Sequence, residues 1–307
     1  MTLGLVCHFV DEVKTKSGSK LVNLFENRTM RLGQWYDGKY SHQKIFDLYM
    51  NNVSKVLEML PILKENRIFS YRLSSELLPL ADKVPQELWD NKSIRDTFKQ
   101  IGSFAKLNGI RLGMHPGQFC VLSSDKEHVV DMAIKDLSIH AWILDQCELD
   151  QTPQYSINIH AGSKTGLNRL ISVINTLPQS IRGRLVLENC ETVANVGDLL
   201  GVHQSTKIPI CFDSHHHNFN SGSLTQRQAF DIAVATWPSG IKPLQHLSNS
   251  EPGSDNLSFQ HRRKHSNWIS TIPEPQLEAL RANEVDVEVE AKMKNLAIAK
   301  LREDFSL

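Results

Sequence analysis

Three histidines and three carboxylates in this chain each close a short apolar run: RLGMH at His115, INIH at His160, LVLE at Glu188, ICFD at Asp213, PLQH at His246 and VDVEVE at Glu290. Two further histidines, His216 and His265, follow shortly after two of those runs. An ionised carboxylate beside apolar residues is costly to bury unless it is paired or bound to metal. Three that converged would push at least one pKa upward unless cations neutralised them. A single histidine in such a place is ordinarily a hydrogen-bonded rim residue; several beside acids supply neutral nitrogen donors where the negative charge collects, and that combination points to metal. The mixed donors suit Mn²⁺, Zn²⁺ or Fe²⁺ better than Ca²⁺ or Mg²⁺, which prefer oxygen shells. So many donors exceed the needs of one ion. Two or three ions, with a carboxylate such as Glu188 spanning a pair, would activate a water and stabilise a leaving oxygen in phosphoryl displacement. Glu188, Asp213 and Glu290 are the candidate catalytic carboxylates.

These residues lie far apart in the chain, so the fold must gather them. Strands are predicted at Leu3–Phe9, Ile68–Ser74, Ile110–His115, Tyr155–His160, Arg184–Asn189, Ile208–Asp213, Ile241–Leu247 and Val285–Glu290. Amphipathic segments lie between them at Gln43–Asn66, Ser93–Asn108, His128–Glu148, Thr165–Leu177, Thr225–Thr236 and Glu274–Ala282, and the EAKMKNLAIAKLRED segment reads as a closing helix. Repeated β-α order implies parallel strands joined by right-handed crossovers. Eight such units predict an α/β fold of the closed (β/α)8 TIM-barrel type, one domain over residues 1–307, with every strand C-terminus at one mouth. Asp11–Tyr40 is predicted to be an irregular insertion after the first strand.

The 307 residues carry 34 basic and 34 acidic side chains, a net charge of zero that weighs against a general nucleic-acid coat protein. It leaves room for local basic loops at the mouth: Arg28 and Arg31 with Lys14, Lys16 and Lys20 after the first strand, and Arg262, Arg263 and Lys264 beside His265. Lys292 and Lys294 open the closing helix and are further candidates to face the cleft. The opening MTLGLVCHFVDE reads as a strand rather than a signal peptide, and no apolar run approaches the roughly 20 residues that span a bilayer. Five cysteines, odd in number and without C-x-x-C spacing, fit a reducing cytoplasm.

The pieces LGLVCHF, NRTMRLGQW, YRLSSELLPLA, GMHPGQFCVL, INIHAG, LVLEN, ICFDSHHHNF, QHLSNSEP, HSNWI and DVEVEAKMKNLAI run nearly the length of the chain. In order and spacing they resemble the UV damage endonuclease family, related to endonuclease IV and xylose isomerase-like TIM barrels. The resemblance implies metal ligands at His115, His160, Glu188, Asp213, His216, His246, His265 and Glu290, with Mn²⁺ as the expected ion and Zn²⁺ or Mg²⁺ as alternatives, two or three per chain. It implies that Gln118 and Phe119 match a Gln-Tyr pair that wedges into the duplex opposite the lesion, as an amide and an aromatic suit bases exposed by a kink. The implied reaction is hydrolysis of the phosphodiester immediately 5′ of a pyrimidine photoproduct, with abasic sites as a further substrate. The implied partner is double-stranded DNA carrying a distorting lesion, with no membrane and no obligatory protein partner. Departures from the family pattern are Asp82-Lys83 where serine-histidine is usual, Leu244 where a lysine is proposed as a modified ligand, and Leu5 and Phe9 where tyrosine and asparagine are typical. Two other readings keep the barrel: a metal-dependent sugar isomerase, and a relative that binds lesions without cutting.

Overall fold

The computed structural model describes residues 2–15 and 18–307. Its strands are β1 (Thr2–Val6), β2 (Val10–Thr15), β3 (Gly18–Asn23), β4 (Ser70–Leu73), β5 (Arg111–Met114), β6 (Ile157–His160), β7 (Leu185–Glu188), β8 (Ile210–Asp213), β9 (Leu244–Leu247) and β10 (Asp286–Val289). All but β2 and β3 run parallel in one closed barrel, in chain order, with β1 sealing against both β4 and β10. The helices are α1 (Leu32–Tyr36), α2 (His42–Glu65), α3 (Lys92–Leu107), α4 (Glu127–Gln146), α5 (Leu167–Thr176), α6 (Gln179–Arg182), α7 (Val196–Thr206), α8 (Ser214–Phe219), α9 (Gln226–Ala235), α10 (Phe259–Arg262), α11 (Glu274–Arg281) and α12 (Lys294–Phe305). The predicted (β/α)8 barrel is the observed fold. No described helix is long and apolar enough to cross a membrane.

Local chemistry explains the ends of the elements. Ser41 and Asn91 cap α2 and α3 by accepting from Lys44 N and Ile94 N, and Asn195 and Thr225 form reciprocal capping boxes on α7 and α9. Along α2, Ile45, Leu48, Tyr49, Asn52, Val53, Val56, Met59, Leu60 and Leu63 recur at helical spacing and are buried. One strand face, including Leu5, Leu112, Leu187, Phe212, Leu247 and Val289, joins the main core. The alternate residues fill the barrel interior.

Those interior residues form layers. On β10, Asp286, Glu288 and Glu290 climb from base to mouth. At the base Arg111 reaches across to Asp286 at 3.1 Å and donates to the Lys242 carbonyl at 2.7 Å, with Lys242 Nζ 3.4 Å from the other Asp286 oxygen. Packed against it an apolar plug joins Val186, Cys211, Trp237 and Leu244, with the Arg111 guanidinium 5.2 Å from the Trp237 ring centre. Gly4 makes room beside this layer: a Cβ there would stand 2.8 Å from Glu288 Cγ and 2.8 Å from Ser70 Cβ.

Several boundaries differ from those predicted. The first strand stops at Val6, because Cys7 turns the chain with φ 63°. Tyr155 belongs to a short 3-10 turn (Pro153–Tyr155) before β6, and β9 begins only at Leu244, after Pro243. The Asp11–Tyr40 insertion is not irregular: β2 and β3 pair antiparallel from Val10↔Asn23 to Thr15↔Gly18, and α1 follows. The physical reason is that VDEVKT and GSKLVN carry enough valine, threonine and leucine to extend and pair. Helix α7 was not anticipated; its two glycines and weak amphipathicity mask it, and the Asn195 capping box supplies the start.

Candidate active site at the barrel mouth

Barrel closure brings the six strand-end groups to one rim. His160, Glu188 and Asp213 are the last residues of β6, β7 and β8; His246 is one residue short of the end of β9; His115 and Glu290 directly follow β5 and β10. Register sets His160 beside Glu188 and Asp213 beside His246. Glu188 sits at the centre: one carboxylate oxygen is 2.8 Å from His115 Nε2, the other 3.2 Å from His216 Nδ1 and 3.1 Å from His246 Nδ1. Two groups of donor atoms converge closely, His115–His160–Glu188 and Glu188–Asp213–His216, each with its atoms within 4.8 Å of one another. Glu188 is common to both.

A third gathering lies toward β10. Glu290 is 3.7 Å from His246 Nδ1 and 3.7 Å from His265 Nε2. Here the described cation is a side chain. Arg72 on β4, buried, reaches Glu290 at 2.5 Å through Nη1 and Glu288 at 2.7 Å through Nε, and its Nη2 lies 2.6 Å from His246 Nε2. With Arg72 and Asn158 Nδ2 on the Nε2 side, His246 turns Nδ1 toward Glu188 and Glu290.

Secondary contacts fix the rim. Asn189 donates to the Asp213 carbonyl at 2.9 Å and accepts from Asp213 N at 2.8 Å, locking the ends of β7 and β8 together. Asp213 also caps α8, accepting from His216 N at 2.7 Å, which carries His216 back over the mouth.

The electrostatics follow from crowding. Burial opposes the charged form of Glu188, but the charged imidazole of His246, with hydrogen bonds from His115 and His216, outweighs it and holds the carboxyl well below its usual range. Burial likewise opposes the Glu290 anion and is overcome chiefly by Arg72. Burial alone leads for His160 and lowers its pKa, leaving a neutral nitrogen donor.

Among the described residues, His160 Nδ1, Asp213 Oδ2 and His246 Nδ1 are buried at this rim without a hydrogen-bond partner, the last close to Glu188 but without hydrogen-bond alignment. Buried lone pairs and acids left in this way are costly, and mixed nitrogen and carboxylate donors fit a divalent transition-metal ion. The residues fit such a group.

The other named positions divide. Phe119 projects from the loop after β5 with 83% of its surface exposed. Gln118 lines a cavity of about 230 Å³ together with His160, Cys190, Glu191 and Arg263. Arg28, Arg31, Lys14, Lys20 and Lys264 are exposed, and Lys16 lies outside the described residues. Arg263 pairs with Glu191 at 2.7 Å, and the Arg262 guanidinium lies 5.8 Å from the Phe219 ring centre, so that basic run is partly committed within the protein. Asp82 does not join the rim groups. It pairs with Lys83 and lines a separate cavity with Asp136 and His140. Leu244 lies in the plug under His246 and offers no donor.

Sequence reasoning missed Arg72, Glu288 and Glu191. The alternation of VDVEVE places an acid at every second position, so Glu288 was legible as an interior residue of the same strand face as Glu290. Glu191, 3.8 Å from His216 Nε2, follows its strand after a turn and carries no periodic signal.

The fold and this rim define a TIM barrel with a histidine–carboxylate centre at the mouth where barrel enzymes build their active sites. A family model described as UV-endonuclease UvdE matches residues 1–307. A UV DNA damage endonuclease from a Nostoc species is 35% identical over 263 residues, covering 83% of this chain and 78% of the relative. The crystal structure of SacUVDE superposes with a TM-score of 0.80 at 28% identity, covering 100% of this chain and 99% of the other. Endonuclease IV from Thermus thermophilus shares the fold, with a TM-score of 0.56 at 12% identity over 82% of this chain and 94% of that one. The chain belongs to the UV-endonuclease UvdE family.

Proposed function

We propose that this DNA repair endonuclease hydrolyses the phosphodiester immediately 5′ of UV photolesions, pyrimidine dimers first and abasic sites second, with two or three divalent ions, Mn²⁺ foremost. The observation that carries the reading is Glu188, shared between two compact donor groups as a carboxylate bridging a metal pair would be. His115, His160 and Glu188 would hold one ion; Glu188, Asp213 and His216 a second; His246, His265 and Glu290 offer a third place beside Arg72. Bound ions supply an activated water and charge stabilisation on the transferring phosphoryl group.

The remaining residues act on the duplex. Phe119, whose ring is exposed, would stack on bases opened by a kink, and Gln118 would hydrogen-bond one of them. That exposed aromatic favours a duplex over a small sugar. Arg28, Arg31 and Lys264 are exposed and would meet flanking phosphates, with Arg262 and Arg263 shaping the near side of the cleft. The five cysteines are free thiols, consistent with a reducing cytoplasm as the working compartment.

The test is incision of an end-labelled duplex carrying one defined photodimer, with and without Mn²⁺. The expected product is a single metal-dependent nick directly 5′ of the dimer. Tight lesion binding without any nick, under every divalent metal, supports the non-cutting relative instead. Neither binding nor incision of damaged or abasic duplex removes the nuclease reading.

A further inference from the structure

Two lysines at the start of the closing helix have different surroundings. Lys292 is exposed and pairs with Glu251. Lys294 is half-buried, and among the described residues its ammonium has no ion pair or side-chain hydrogen bond. The charged and titratable groups around it are Cys7, His8, Glu290 and Arg72, which places it at the mouth between the ends of β1 and β10.

Three features of this position are locally unfavourable. Lys294 has φ 52°, a left-handed conformation that L side chains seldom adopt, and Cys7 on the neighbouring strand end has φ 63°. A cation at the first turn of a helix opposes the helix dipole. Burial also strips water from the ammonium and draws its pKa below the usual lysine range. The backbone is nevertheless pinned: Asn295 accepts from Val10 N at 2.7 Å and donates to the Val10 carbonyl at 2.9 Å, and Lys294 N donates to Ala291 O at 3.2 Å. Strain that surrounding contacts maintain is characteristic of ligand-contacting positions. An anion arriving at the mouth would relieve both the dipole conflict and the desolvation.

We propose that Lys294 contacts a phosphate oxygen of the DNA strand on the β1–β10 side of the centre, a substrate contact distinct from the exposed basic loops. The inference rests on the nuclease reading and adds one residue to it. The experiment measures binding of a lesion-bearing duplex to the metal-free full-length chain by fluorescence anisotropy, as a function of salt, for the native protein, Lys294→Met and Lys294→Arg. Lys294→Met is expected to weaken binding about tenfold and to lower the slope of log affinity against log salt by about 1. Lys294→Arg should restore the slope, with Mn²⁺ content of the metal-loaded protein unchanged in both, while Lys294→Met, which removes the unfavourable cation, should raise the thermal midpoint. If Lys294 only offsets the charge of Glu290, the slope stays at the native value and Mn²⁺ affinity changes instead, which overturns the proposal while leaving the nuclease reading intact. Absence of salt-dependent binding by the native protein, both metal-free and with Mn²⁺ added, sinks both. Should Lys294→Met fail to fold, Lys294→Gln carries the same measurement.

Discussion

The barrel interior holds charge at two levels, and the two are built on opposite terms. At the base one carboxylate, Asp286, meets two fixed cations, Arg111 and Lys242. At the mouth the carboxylates of Glu188, Asp213, Glu288 and Glu290 share a single described arginine, Arg72. A buried charge must be matched by a partner or it destabilises the fold. The base meets that condition from within the chain and therefore reads as structure. The mouth matches its acids in part with imidazoles, whose protons an arriving ion can replace; atoms without a hydrogen bond among the described residues occur at both levels, so the removable charge of the imidazoles, not the unpartnered atoms, sets the mouth apart.

The contrast is tested first where the expected effect is largest. Glu188→Gln removes the shared charge from both donor groups. Incision should fall by about a thousandfold or more, a loss typical of removing a central electrostatic element, and Mn²⁺ content should drop while the circular dichroism of the fold persists. A variant that still cuts at a tenth of the native rate would place the chemistry elsewhere. Arg111→Met makes the complementary cut. Stranding Asp286 without its main partner should cost about 3–5 kcal/mol of stability, read as a lower urea midpoint, while incision per folded molecule stays native. Adding Asp286→Asn should recover much of the loss, because the buried charge goes with it. If Arg111→Met instead spares stability and abolishes cutting, the division between base and mouth is wrong.

A smaller effect separates the levels by pH. Burial pulls the His216 imidazole down, but Asp213, Glu188 and Glu191 outweigh it and hold its pKa well above the ordinary value of 6.5. In the metal-free protein His216 is therefore cationic at neutral pH. Its raised folded-state pKa contributes stability that is fully present below the unfolded value and is lost as pH rises through the folded one. Metal affinity runs the other way, since an ion must displace that proton. Calorimetric Mn²⁺ titrations should show affinity rising with pH, up to about tenfold per unit for one displaced proton, with the proton released to buffer. Affinity independent of pH and free of proton release would remove His216 from the ligand set.

What could be read from the chain alone follows the same division. The eight strands were legible because short apolar runs bounded by turns recur with helical segments between them, and their terminal His, Glu and Asp residues stood out against apolar neighbours. Arg72 and Arg111 were not read as cross-barrel partners, because a charged residue inside a short strand acquires its meaning only from the strand opposite it. Glu288 pairs with Arg72 across 216 positions of sequence, and no spacing rule connects them. Asp82-Lys83 stands where serine-histidine is usual, and whether Asp82 could take the ligand's place was not legible in the chain; its loop carries it to a separate cavity with Asp136 and His140. The β2–β3 hairpin was hidden because its runs mix charged and apolar residues on both faces.

The smallest expected effect concerns the rim rather than either buried level. Phe119 touches neither charge layer, so Phe119→Ala should leave stability and Mn²⁺ content unchanged. Stacking on an unpaired base contributes about 1–3 kcal/mol, and a residue that also loses a competing contact with water at an exposed site belongs at the low end. The variant should bind lesion duplex about fivefold more weakly and leave binding to undamaged duplex nearly untouched, as measured by competition between the two DNAs. An equal loss on both would make Phe119 a general contact, because only a distorted duplex presents a base face at the rim. A loss of folding would make it a packing residue, which its exposure argues against.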